Sequence, residues 1–61
     1  MKKKELKNLA IKIAEQENIL STSTDVFEIE AAKDTIIRLT SMVDSLDDLF
    51  ELDEMIQKII S

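Results

Sequence analysis

Neither glycine nor proline occurs anywhere in the 61 residues, and from Ile29 to Ile60 apolar side chains recur every three or four positions. A 3.6-residue period places such side chains along one stripe of a helix, and no residue in the stretch forces that helix to stop. With only Phe27 and Phe50 as aromatics, the chain reads as all-α with few turns.

Written as heptads, Ile29, Ile36, Val43 and Phe50 take one seam position and Ala32, Leu39, Leu46 and Asp53 the other. This is a coiled-coil repeat until Asp53 breaks the register. From Met42 onward a shifted stripe fits better, through Leu46, Leu49, Met55, Ile56, Ile59 and Ile60. Two structures produce such a drift. One is a single helix from about 25 to 60 whose buried face turns from one neighbour to another. The other is a pair of helices broken at 44–46, near Ser45. Ser45 followed by Asp48 fits a helix start, a hydroxyl cap with an acid three residues on. Against a break, the spacing Leu39, Met42, Val43, Leu46, Leu49, Phe50 never loses phase. The expectation is therefore an antiparallel helical hairpin with a long second helix, and the alternative is a compact three-helix bundle.

The first helix is expected over about 3–20, with Leu6, Leu9, Ala10, Ile13 and Ile19 or Leu20 inward and Lys7, Lys12, Glu15 and Asn18 outward. The hydroxyl run Ser21 to Thr24 competes with helical hydrogen bonds and reads as the turn. Thr24 or Asp25 can cap the next helix, Asp25 and Glu28 place negative charge on its first turn, and Val26 and Phe27 begin its buried face. A connection this short predicts antiparallel packing, with Lys2 to Lys7 near Asp44, Asp47, Asp48 and Glu51. The lengths then disagree: about 27 Å for the first helix against about 54 Å for a continuous second one. A stripe of Leu49, Leu52, Met55, Ile56, Ile59 and Ile60, with Leu46 and Phe50 above it, is left uncovered. Its expected use is contact with a second copy, giving a homo-oligomer, or with another protein.

Size sharpens that need. A chain of this length forms one marginal domain, and with no cysteine it has neither a disulfide nor a thiolate metal site to staple it. Lack of cysteine fits a reducing compartment, and the expected location is the cytoplasm. No apolar run approaches the length of a membrane span or a signal-peptide core. Without His, Cys, Tyr or Trp, the commonest general acid-base group and the best nucleophile are missing, so neither catalysis nor a cofactor is expected.

Charge is uneven. Residues 1–20 carry five lysines against three acids, whereas residues 21–61 carry three cations against ten acids, for a net charge of -5. Lys2, Lys3, Lys4, Lys7 and Lys12 stand as an alternative site for nucleic acid. The overall acidity and the lack of interleaved aromatics or arginines favour a simpler reading, in which the lysines face acids of the second helix. Asp44, Asp47, Asp48 and Glu51 share one helix face and offer oxygens to a hard cation. With no loop glycine and ligands from one element only, they read better as a solvated face or the lysines' partners. Asp34 with Arg38 and Glu54 with Lys58 are well-oriented i, i+4 pairs.

The segment Ile36 to Leu49 (IIRLTSMVDSLDDL), continuing through Leu52-Asp53-Glu54-Met55-Ile56-Gln57, resembles short, uncharacterised helical proteins of T-even-like tailed phages. The resemblance covers about two-thirds of the chain and rests on ordinary helix-forming residues. It implies a phage-encoded accessory protein acting in the host cytoplasm, and it carries no catalytic residues across.

Overall fold

The computed structural model describes residues 2–61, all of it helix and short connections. Three helices follow one another: α1 (Lys3–Thr22), α2 (Val26–Thr40) and α3 (Leu46–Ile60). The expected hairpin with one long second helix is not what forms. The chain breaks at 41–45, and the architecture is the three-helix alternative.

Helix α1 lies at the centre. It packs against both α2 and α3, while α2 and α3 meet each other only marginally. A helix with two neighbours needs a wide apolar stripe, and α1 has one: Leu6, Leu9, Ala10, Ile13 and Ala14 are all buried, spanning well over 100° of its circumference. Leu6, Leu9, Ala10 and Ile13 join Val43, Leu52 and Ile56 in one core, with Ile36, Leu39, Leu49 and Met55 packed on it.

The course of the chain follows from the ends of the helices. Residues 23–25 are too few for anything but a reversal, so α2 returns antiparallel to α1. Asp25 caps α2, its Oδ1 accepting the Phe27 N–H at 2.9 Å. The Asp25 N–H donates to Ser23 Oγ at 3.2 Å, and that hydroxyl donates to Glu28 Oε2 at 2.7 Å. The N3 acid thus reaches the cap residue through a hydroxyl relay, a variant of the capping box. Val26 and Phe27 do not begin a buried face as expected; Phe27 is 87% exposed, because it sits at the hairpin tip, beyond the last buried residue of α1.

The end of α2 is well satisfied. The last four carbonyls of α2 all find donors: Ile37 from the Ser41 N–H, Arg38 from the Ser41 hydroxyl, Leu39 from the Met42 N–H and Thr40 from the Val43 N–H. The last two are three-residue bonds that tighten the final turn. Val43 then anchors the corner in the core. Ser45 takes the cap position of α3, as its spacing from Asp48 suggested, but its side chain makes no capping bond. Glu5 shares a small groove with Met42, Asp44, Ser45 and Asp48, and Ile59 and Ile60 lie beside Ile11, Ala14 and Asn18. Helix α3 therefore runs parallel to α1.

Candidate protein-interaction surface

The corner between α2 and α3 resets the helical phase, and that reset creates the surface. Along α2 the heptad seam behaves as read: Ala32 is buried and Ile29, Ile36 and Leu39 are half-buried, with Val43 closing the row. Continuing the seam would bury Leu46 and Phe50. Instead α3 turns Leu52 (2% exposed) and Ile56 (7%) onto α1, and Leu46 and Phe50 are 72% and 69% exposed. Being four residues apart on one helix, they share a face. Met42, in the connection just before, is 59% exposed.

The eight residues expected to form one bare stripe are thus divided by the fold. Leu52 and Ile56 belong to the core, and Leu49 and Met55 pack partly against it. Leu52 and Ile56 therefore offer no free face to a partner, Leu49 and Met55 offer only part of theirs, and a substitution at Ile56 reports on folding rather than on association. The physical reason is the break: once α3 can turn back, its inner face finds the α1 side chains that a continuous helix could not reach. Leu46, Phe50, Ile59 and Ile60 remain exposed. The last two line an open cleft of about 640 Å3 together with Ile11, Ala14, Asn18 and Ser21, bordered by Glu15 and Glu17.

Ile11 and Ile37 are also exposed, and neither was singled out from the sequence. The available signal was their phase: each lies well off the stripe that its own helix buries. Isolated apolar residues of this kind are common on protein surfaces. An exposed i, i+4 pair of large apolar residues is less so.

The amino-terminal lysines are placed differently from expectation in one respect. The start of α1 does lie beside the 42–48 segment, but it is Glu5 that lines the shared groove. Among the described residues the ion pairs are Lys33–Glu30 at 3.8 Å and Arg38–Asp34 at 3.0 Å. Lys2, Lys3, Lys4, Lys7 and Lys12 are exposed and enter neither. The Glu54–Lys58 pair is not formed within 4.0 Å, and the Arg38–Asp34 pair is exposed enough to contribute only a few tenths of a kcal/mol. Among the described residues no group of three or more acids, Asp44, Asp47, Asp48 and Glu51 included, is arranged to hold a metal ion. No helix of the described residues is long and apolar enough to cross a membrane.

Comparison with protein-family models, with curated proteins and with solved structures found no match.

Proposed function

We propose that the chain is a small, non-enzymatic interaction or accessory protein that docks on another protein molecule through the outer face of the α2–α3 corner. The observation that carries this reading is the exposure of Leu46 and Phe50, two large side chains on one face of α3 that continue the seam α2 buries. Removing such side chains from water stabilises a complex by about 1.5–3 kcal/mol each. Ile59 and Ile60, in the cleft at the far end of α3, form a separate exposed apolar site. Support for the absence of catalysis comes from composition: the chain has no His, Cys, Tyr or Trp, and its lysines and most of its carboxylates stand exposed at the surface. The phage resemblance argues for a partner among host or phage proteins of the cytoplasm.

The test is a photo-reactive phenylalanine analogue placed at position 50 and, separately, at position 30, an exposed polar site in α2 away from the corner. Discrete cross-linked products from position 50 and none from position 30 are expected. Equal labelling at both, or none at position 50, would remove the basis of the proposal.

A second reading, nucleic-acid binding, is favoured by one observation: among the described residues Lys2, Lys3, Lys4, Lys7 and Lys12 are exposed and form no ion pair with Asp44, Asp47 or Glu51. It predicts retention of RNA or DNA that falls steeply with salt. Absence of any gel shift at low salt would dismiss it.

A further inference from the structure

We propose that the partner at the α2–α3 corner is a second copy of this chain, and that the two copies associate by exchanging α3. This rests on the reading of Leu46 and Phe50 as an interaction surface and names what covers them.

Three independent observations converge. First, α3 packs on α1 and scarcely on α2. Moving α3 out of its own chain therefore breaks essentially one interface, and the α1 of a second copy offers the same interface again, residue for residue. Second, the connection that would have to straighten contains nothing that forbids a helix. Residues 41–45 hold no glycine or proline, and no described residue has a positive φ. Third, the apolar phase runs unbroken through that connection. Ile29, Ala32, Ile36, Leu39, Val43, Leu46 and Phe50 lie on one seam in a continuous helix, and only the last two are exposed in the bent form. The sequence thus encodes a straight form that the compact fold does not use.

In the straight form α2, the connection and α3 make one helix over residues 26–60, about 52 Å long, against a longest dimension of 34 Å for the compact chain. Helix α3 then projects beyond its own α1 and takes the place of the other copy's α3. In a symmetric pair the two straightened connections lie next to the two-fold axis, so each copy's Leu46 and Phe50 face the same region of the other. The exchange leaves the α1–α3 core unchanged in kind and adds the burial of these side chains. That added burial, with the backbone bonds a straight connection makes, is what favours the dimer; the Ser41 hydroxyl bond to the Arg38 carbonyl and the freedom lost on association favour the monomer.

The experiment uses the 61-residue chain, which has no cysteine. Asn18→Cys and Ile60→Cys line the same cleft between α1 and α3, far from the connection. The two single variants are mixed, unfolded together, refolded at high concentration and treated with a short bis-maleimide, and the mass of each species is measured by light scattering. Exchange predicts a dimer fraction in which an Asn18→Cys chain is linked to an Ile60→Cys chain. It also predicts that Leu46→Lys with Phe50→Lys raises the dimer dissociation constant by about tenfold or more for each residue. A dimer that forms with no such cross-link, while the double cysteine variant links only within one chain, overturns exchange but leaves docking through position 50 intact. A monomer at every concentration overturns the second copy as partner, and the photo-cross-linking above then decides separately whether another protein binds.

Discussion

Ser41 Oγ lies 2.8 Å from the carbonyl oxygen of Arg38 and donates to it, serving the one carbonyl in the last turn of α2 that no backbone N–H reaches. A side chain that ends a helix in this way makes the bend at 41–45 inexpensive without any glycine. It also marks where the balance between bent and straight forms can be shifted.

Ser41→Ala removes that bond and improves helix propensity at the same position. The bond is exposed, so water replaces it, and the expected loss of stability in the compact form is about 0.5–1 kcal/mol. For a chain of this size that is a fall in Tm of roughly 2–8 °C, read from the far-ultraviolet circular dichroism melt at low concentration. At high concentration the same variant should show more dimer than the parent chain in light scattering. A rise in Tm at low concentration together with less dimer would contradict the role given to Ser41.

Leu52 and Leu46 test the phase of α3 directly. Leu52→Ala leaves a cavity against α1 and should cost about 2–5 kcal/mol, enough to unfold much of a marginal domain. Leu46→Ala should change the stability of the monomer by no more than about 0.5 kcal/mol. Urea titrations of both variants at low concentration decide it. Comparable losses would mean that the α2 seam continues through Leu46 and that the chain is not bent.

Asp25→Ala removes the carboxylate that receives the Phe27 N–H and should cost about 1 kcal/mol. Because Ser23 links Asp25 to Glu28, the costs of Ser23→Ala and Asp25→Ala should not simply add. A double-mutant cycle on melting or urea data measures the coupling, and strict additivity would show that the relay contributes nothing.

Ala32 is buried where α2 approaches α1, 2% exposed, whereas Ala31 beside it is exposed. Ala32→Leu forces extra volume into a close contact and should cost about 1–3 kcal/mol. Ala31→Leu should be nearly neutral. The pair checks that the seam of α2, and not some other face, lies on α1.

Much of this fold was legible in the residues, and the exceptions cluster at one place. The all-α class, the span of α1 to within two residues and the seam Ile29, Ala32, Ile36, Leu39, Val43 follow from periodicity; the turn falls on the second half of the hydroxyl run, since Ser21 and Thr22 end α1, and of the two expected caps, Thr24 and Asp25, it is Asp25 that caps α2. The break near Ser45 was legible as an alternative, through Ser45 and Asp48 at cap spacing. What hid it was Leu46 and Phe50, which keep the phase of the α2 seam although they face outward. Phase records which residues would share a face if the helix continued; it holds no information on whether it does.

By itself the sequence determined that the chain is helical, where α1 and α2 begin and turn, and which chemistries it lacks, because these depend on local propensities and on residues present or absent. Only the tertiary structure decided that the long apolar stretch is divided between a buried half and an exposed one. That outcome depends on α1 being central, with a stripe wide enough for two neighbours, so that Leu52 and Ile56 gain more by folding back onto Leu6, Leu9 and Ile13 than by extending into water. Competition between distant side chains for the same buried space is a property of the whole chain, and no window of it carries the answer.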